Sequence, residues 1–426
     1  MSELISGAEQ PLPKRRCLYI DMAYCLAELQ QREHEQFFEA RHSGGYLERI
    51  VALHPLADRV IAMPSAVARR RFSERQEVIE GSAYGLHLPR WLAPINLMIS
   101  QYLLLREVRR IVREERLEFV IATDALYSGL FGSWVSRMAC IPLSVLFVSH
   151  YEAGYEATGA LGMPRMFPFK WLQDAVIRHV ARRADLIGAS SQTLADYAVA
   201  MGGNPDAVAL FSTAKNMTSS NRIDPADRGD AGDIFAEHNI PTGVPLFITI
   251  ARHAQVKLVD HAIRAFAMVV ERHPQAILLL AGRGPETGAL ETLVTQLDIA
   301  SSVRFMGLQG QSVLNRLSPQ CISLSPATGM ALFETSMAGA PAIAYDMDSQ
   351  IADLVVSGVT GELVRYKDWR AMGDAAIRLL DDPDRLAEMR RAMLLHARAL
   401  TDEAAIHRVE VDAYEAMLAR YWGVRA

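Results

Sequence analysis

Residues 246–257 read Leu-Phe-Ile-Thr-Ile-Ala-Arg-His-Ala-Gln-Val-Lys, and residues 325–341 read Ser-Pro-Ala-Thr-Gly-Met-Ala-Leu-Phe-Glu-Thr-Ser-Met-Ala-Gly-Ala-Pro. The first stretch is an apolar run followed by two cations, Arg252 and Lys257. The second is a glycine turn that opens a helix carrying one carboxylate, Glu334. An apolar run without polar alternation marks a strand covered on both faces, as in a parallel sheet. Ligands of such sheets gather beyond the carboxyl ends of the strands. Both cations fall there.

The same rhythm extends in both directions. Strands are predicted at Cys17–Asp21, Arg49–Leu53, Arg59–Met63, Phe119–Thr123, Leu143–Ser149 and Asp185–Ala189, with helices at Pro94–Glu115, Tyr127–Ala139, Phe167–Ala184 and Ser191–Met201. Loop chemistry interrupts this pattern between Thr213 and Pro245. A second series follows, with strands at Pro245–Ile250, Ala276–Ala281, Ser302–Met306, Cys321–Leu324, Ala342–Tyr345 and Gly361–Val364. Its helices are predicted at Asp260–Arg272, Thr287–Leu297, Ser312–Leu317, Ala331–Met337 and Trp369–Leu380. The chain therefore reads as α/β, with two doubly wound domains over residues 1–225 and 226–401. The last segment, 402–426, is a helix with no strand after it, expected to return to the first domain.

Of the 426 residues half are hydrophobic, which suits a well-packed globular chain. Residues 1–225 hold 25 Lys and Arg against 24 Asp and Glu, and the remainder holds 19 against 25. A neutral first half and an acidic second half argue against a nucleic-acid partner. The four cysteines, Cys17, Cys25, Cys140 and Cys321, lack metal or redox spacing and indicate a reducing compartment. The greasiest stretch, Trp91–Leu105, is broken by Asn96, Ser100 and Gln101 and is too short to span a bilayer. A cytoplasmic location is expected.

Several residue sets carry chemistry. Arg252 offers a planar fork for phosphate oxygens and Lys257 a compact point charge. Thr328, Gly329 and Met330 open a helix whose free N–H groups attract anions. Glu334 lies one to two turns further on, placed to accept hydrogen bonds from the vicinal hydroxyls of a ribose. Together these suit a sugar nucleotide. Read separately, they are two solvated cations and an ordinary glycine turn. His150 follows the strongest apolar run of the first half and can donate to a sugar hydroxyl or phosphate; taken alone, such a histidine is more often structural. Gly44-Gly45 permits a close backbone approach to a ligand, or a plain turn. Gly282-Arg-Gly284 lacks the third glycine of a dinucleotide fingerprint. No Walker A, HExxH or GxSxG pattern occurs, and the nearest thing to a metal-chelating DxD pair, Asp346-Met-Asp348, lies past the expected pocket. Between Pro164 and Ala184, cations mix with Met166, Phe167, Phe169 and Trp171, which suits an anionic membrane surface or a solvated basic helix.

At this point the pattern resembles the GT-B glycosyltransferases, in particular the retaining family-4 group. Ala251-Arg252…Lys257 resembles their GR…K loop, Glu334-Thr-Ser-Met-Ala-Gly-Ala-Pro341 their EAMA-G-P segment, and Val355-Val-Ser-Gly-Val-Thr-Gly361 the following DG-TG turn. Leu278–Pro285 and Val303–Gly307 resemble the strand-turn units between. The likeness covers about residues 245–380 and thins in the first half to Gly44-Gly45, His150 and Ala184–Ser190.

The resemblance implies two Rossmann-like domains facing a central cleft, with the C-terminal helix packed on the first. It implies Arg252 and Lys257 on the donor diphosphate, Glu334 on the ribose, Thr328, Gly329 and Met330 on sugar and phosphates, Phe305 and Gly307 at the nucleobase, and His150 at the transferred sugar. The implied reaction is metal-independent hexosyl transfer with retention, without a cofactor beyond the nucleotide-sugar donor, to a glycan or lipid-linked acceptor, in polysaccharide or glycoconjugate synthesis with peripheral membrane contact. One departure stands out. The family's second carboxylate, eight residues before Glu334, is Pro326 here, and His253 replaces the usual apolar residue. A non-catalytic GT-B protein that binds a sugar nucleotide or a partner enzyme is the alternative.

Overall fold

The structure is a computed structural model that describes residues 13–22, 25–26, 40–57, 66–86, 88–217, 221–327, 329–347 and 349–423. Eight strands build the first sheet: β1 (Arg15–Ile20), β2 (Leu47–His54), β3 (Val67–Arg71), β4 (Gln76–Gly81), β5 (Phe119–Ala122), β6 (Leu143–Phe147), β7 (Leu186–Ala189) and β8 (Val208–Leu210). Their order is β3-β4-β2-β1-β5-β6-β7-β8, and among the described residues only the β3–β4 pair is antiparallel. Six strands build the second: β9 (Leu246–Ile250), β10 (Ile277–Ala281), β11 (Val303–Gly307), β12 (Cys321–Ser325), β13 (Ala342–Asp346) and β14 (Gly361–Arg365). They run parallel in the order β11-β10-β9-β12-β13-β14. That is the doubly wound order, with its switch point between β9 and β12.

Central strands are buried along nearly their whole length, as their unbroken apolar runs require. Helix Val259–Arg272 buries Val259, Ala262, Ile263, Phe266 and Val269 on one stripe, against Met372, Ala375, Ala376 and Leu379 of helix Trp369–Leu380. Phe266 meets Phe247 of β9 edge to face at 5.6 Å. Each of the buried Val, Ile, Leu, Met and Phe side chains contributes roughly 1.5–3 kcal/mol.

The final helix, Glu403–Gly423, returns to the first sheet as the sequence predicts. Val411, Tyr414, Met417 and Leu418 share a buried cluster with Cys17, Tyr19, Phe119 and Leu186. Arg15 holds both carboxylate oxygens of Glu415 at 2.8 Å, and the Tyr46 hydroxyl donates to the same group.

Three features differ from expectation. The hairpin β3–β4 was hidden because β3 reads Val-Ala-Arg-Arg-Arg, an exposed charged edge, whereas the strand predicted at Arg59–Met63 lies outside the described residues. Helix Pro383–Leu400 adds Met393 and Ala397 to the core around Leu332 and Met337. The chain also changes partners earlier than residue 225. Phe211 still packs in the first sheet's cluster, but Ala214 and Met217 pack with Leu332 and Phe333 of the second unit. Arg228 then donates to the carbonyls of Met337 and Ala338.

Candidate active site

The switch point of the second sheet brings the ends of β9 and β12 side by side. After β9 the backbone turns through a short 3-10 segment, Gln255–Lys257, and Leu258 adopts φ +50° before helix Val259–Arg272 begins. Arg252 is exposed and Lys257 half-buried. Burial, then the nearby Arg252 guanidinium, holds the Lys257 ammonium below the ordinary lysine range. An anion placed between the two cations relieves both effects.

Opposite, β12 ends at Ser325 and Gly329 precedes helix Met330–Met337. A Cβ on Gly329 would lie 3.6 Å from Lys257 Nζ. The ammonium and the start of the helix therefore face one space. Thr328 lies outside the described residues. Met330 is half-buried against the core beneath. Glu334 is half-buried, and among the described residues it has no hydrogen-bond or ion-pair partner. Burial pushes its carboxyl up to about 7. A carboxylate in this state lacks donors, and two vicinal hydroxyls would supply them.

The ends of β10 and β11 extend the same edge. Gly282 and Gly284 let the β10 loop touch the β9 loop: a Cβ on Gly282 would lie 1.9 Å from the Ala251 carbonyl oxygen, and one on Gly284 2.1 Å from that of His253. The Gly282 N–H donates to the Gly307 carbonyl at 2.7 Å. His253, the unexpected residue after Arg252, is buried; its Nδ1 lies 2.9 Å from the Thr287 hydroxyl and its ring meets Phe305 edge to face at 6.1 Å. These contacts tie the β9 loop to helix Thr287–Gln296 and to Phe305 of β11. Sequence reasoning passed over Arg283, whose Nε would lie 3.1 Å from a Cβ on Gly307. Its signal was a cation between two glycines at a strand's carboxyl end.

Pro326 is buried immediately after β12. Behind it, the hydroxyls of Ser323 and Ser325 lie 2.9 Å apart, and Thr335 donates to Ser323. Ser325 is the hydroxyl nearest in sequence to the missing carboxylate.

The first sheet contributes His150. It caps helix Tyr151–Thr158, with Nδ1 accepting from the Ala153 N–H at 3.2 Å, and it stacks on Tyr197 at 4.0 Å between ring centroids. With Nδ1 as acceptor, the ring's proton sits on Nε2, which is left to donate. This helix approaches the Gln255–Lys257 turn, so the two units meet where the cations are.

Gly44 and Gly45 are elsewhere. They lie in the turn entering β2, where Arg15 N–H donates to the Tyr46 carbonyl, and a Cβ on Gly44 would lie 2.9 Å from Nδ1 of His407 on the final helix. The start of β2 is the sheet end opposite the strands' carboxyl ends. This glycine pair serves the seam with the final helix and does not line a cleft.

Two doubly wound sheets, one with a cation-lined carboxyl edge at its switch point and a histidine helix from the other set against it, define the GT-B architecture. Residues 25–214 match the family described as Glycosyl transferase 4-like domain, and residues 230–396 match Glycosyl transferases group 1. The chain belongs to this family of GT-B, family-4-like glycosyltransferases.

Among curated relatives, it is 28% identical over 236 residues to the GDP-mannose-dependent monoacylated alpha-(1-6)-phosphatidylinositol monomannoside mannosyltransferase of Corynebacterium glutamicum, covering 52% of this chain and 60% of that one. It is 31% identical over 189 residues to the N-acetyl-alpha-D-glucosaminyl L-malate synthase of Bacillus anthracis, covering 44% and 48%. A third match, 33% identical over 131 residues, is to an exopolysaccharide phosphotransferase of Streptomyces coelicolor and covers 30% of this chain and 14% of that one. The alignments thus span at most about three fifths of these relatives' own lengths. Among solved structures, Anabaena HepE in complex with UDP and glucose superposes with a TM-score of 0.71 at 15% identity, covering 94% of this chain and all of that one. Sucrose-phosphate synthase from Thermosynechococcus elongatus superposes with a TM-score of 0.72 at 18% identity, covering 96% and 100%. At these identities the likeness is one of fold.

Proposed function

We propose that this glycosyltransferase moves a hexose from a nucleotide-sugar donor to a hydroxyl of a glycan or lipid-linked acceptor, with retention of anomeric configuration, at the inner face of a bacterial membrane. One observation carries the reading: Lys257 Nζ stands beside Gly329 at the head of the helix that bears Glu334. A cation, a row of helix N–H groups and a donor-poor carboxylate match, in that order, the diphosphate, its sugar-side oxygens and the ribose. The UDP held by the Anabaena protein of the same fold supports a nucleotide in this place, and the mannosyltransferase relative supports a lipid-linked acceptor.

In this reaction the bond from the sugar's anomeric carbon to the diphosphate oxygen breaks, and the acceptor oxygen bonds to that carbon from the same face. The acceptor's proton passes to the departing phosphate oxygen. Charge accumulates on the diphosphate, so stabilisation comes from Arg252, Lys257 and the helix N–H groups, fixed before the reaction begins. These side chains take the part that a divalent ion plays elsewhere, and no cofactor is needed. His150 Nε2 donates to the sugar, Phe305 and Gly307 border the base, and closure of the two units excludes water.

Pro326 favours a second reading, in which a sugar nucleotide is bound without being transferred. Thermal shift with UDP-, GDP- and ADP-sugars, followed by donor-turnover assays, tests both. One nucleotide class is expected to raise Tm, by the equivalent of about 2.7 kcal/mol at a hundredfold excess over Kd, and to be turned over. Binding without turnover under any acceptor condition selects the second reading, and no shift with any nucleotide removes both.

A further inference from the structure

Helix Ala93–Glu114 is inverted over its first three turns. Asn96, Ser100 and Gln101 are buried, with exposures of 0%, 0% and 5%, while Met98 and Tyr102 are 72% and 65% exposed and Ile95 and Ile99 also face outward. Trp91, in the turn leading into the helix, is 78% exposed. Each of the three inward side chains makes hydrogen bonds, although the Asn96 Nδ2 has no partner among the described residues. The Asn96 side-chain oxygen accepts from Leu86 N–H, and the Ser100 hydroxyl accepts from Gly85 N–H. Gln101 donates to the carbonyls of Pro55 and Ser82 and accepts from the Tyr127 hydroxyl. These bonds hold the loop after β4 and fix the helix's rotation. The apolar side chains cannot turn inward without breaking them, so they stay against solvent, where an apolar stripe is costly.

The rest of the same face says what covers it. At spacings of three and four, Ile95, Met98 and Tyr102 continue into Arg106, Arg109 and Arg113, all exposed and, among the described residues, without ion-pair partners. Helix Tyr127–Ala139 lies between this helix and Lys170–Arg183, and the third helix repeats the arrangement. Phe169 and Trp171, stacked at 6.1 Å and exposed, stand at its start, and Arg178, Arg182 and Arg183 are exposed toward its end. All three helices begin at the carboxyl edge of the first sheet. On the two outer helices the exposed apolar side chains stand at the start, on that edge, and the guanidinium groups follow behind as an arginine band on each.

We propose that this face, centred on Trp91, Ile95, Met98 and Tyr102, docks on an anionic lipid surface. The apolar and aromatic side chains enter the boundary between headgroups and acyl chains, and the arginine band meets lipid phosphates. The surface starts at the carboxyl edge of the first sheet, the edge from which helix Tyr151–Thr158 approaches the Gln255–Lys257 turn. A lipid-linked acceptor held in the membrane would then present its hydroxyl at the mouth of the cleft. This last clause rests on the function proposed above; the docking does not.

Flotation of the purified full chain with vesicles tests the inference. Binding to phosphatidylcholine vesicles containing phosphatidylglycerol is expected, weakening with added salt and on vesicles of phosphatidylcholine alone. Met98→Glu combined with Tyr102→Glu should lower vesicle affinity at least about tenfold while Tm and the thermal shift with a nucleotide sugar stay unchanged, since all these side chains project into solvent. Trp171→Ser, on the neighbouring helix, should give a smaller loss. Absence of wild-type binding to any vesicle overturns the proposal. So does binding indifferent to these substitutions, or a wild-type dimer that the double substitution converts to a monomer. None of these outcomes bears on nucleotide recognition, which the thermal shift reads separately.

Discussion

Lys257 Nζ lies 3.6 Å from the place a Cβ would take on Gly329, although 72 positions of sequence separate the two residues. The contact exists because β9 and β12 are neighbours at the switch point of the second sheet. It defines the space in which the anion is expected.

Lys257→Ala should leave the fold intact, since the side chain is half-buried on a turn. It should cost about 2.7–4 kcal/mol of transition-state stabilisation, roughly a hundredfold to a thousandfold in kcat/KM. Gly329→Ala meets ordinary van der Waals contact in the free protein and should fold normally, yet its methyl group enters the anion's space and weakens nucleotide binding. Calorimetric titration of both variants with the preferred nucleotide sugar checks this. Unchanged affinity in both would remove the anion site.

Glu334 gives the site a pH signature. Its carboxyl is pushed from the ordinary 4.5 to about 7 by burial. Between those values the folded state holds the proton more tightly than the unfolded state, so stability from this group falls as pH rises through the window. Above pH 7 the cost is on the order of 1–3 kcal/mol. Glu334→Gln should therefore raise Tm at pH 8 and leave it nearly unchanged at pH 4.5. Nucleotide-sugar affinity of the native chain should increase from pH 6 to pH 8, as the carboxylate that accepts both ribose hydroxyls becomes populated. The variant should bind weakly and without that slope.

The β9–β10 loop contact rests on glycine. Gly282 sits at φ +148° and a Cβ there would lie 1.9 Å from the Ala251 oxygen, a backbone atom that cannot turn aside. Gly282→Ala should destabilise by about 3 kcal/mol or more. Gly288, on helix Thr287–Gln296 with nothing within 4 Å of its would-be Cβ, is the control. Gly288→Ala should stabilise by about 0.5–1 kcal/mol. Urea unfolding of the pair measures both.

Tyr414 is fully buried between the final helix and the first sheet, with its ring 5.2 Å from Phe119 and 5.8 Å from Phe211. Tyr414→Ala should cost about 3–5 kcal/mol, read by denaturant titration. Nucleotide affinity per folded molecule should stay as it was, because the site lies on the other sheet.

Much of this protein was legible before any coordinates. Unbroken apolar runs such as Leu246–Ile250 and Leu143–Phe147 can be covered only in a parallel sheet, and their alternation with amphipathic stretches fixed the fold class. The places of Arg252 and Lys257 after β9 were legible for the same reason: a strand's carboxyl end is a place that local pattern identifies; that of Glu334, on a helix, followed from the glycine turn before it. The hairpin β3–β4 was not, because an exposed edge strand carries no burial signal. Gly44-Gly45 misled, because two glycines permit a turn anywhere and do not say against what.

By itself the sequence determined which segments become strands and helices and which charged groups stand at strand ends, since those follow from side-chain periodicity along one stretch of chain. The tertiary structure alone decided what meets what: Lys257 beside Gly329, His253 against Phe305, Arg283 over Gly307, and an apolar stripe turned outward because Asn96, Ser100 and Gln101 are bonded inward. Such pairings depend on strand order and on which hydrogen bonds fix each helix's rotation, and neither is written in local spacing.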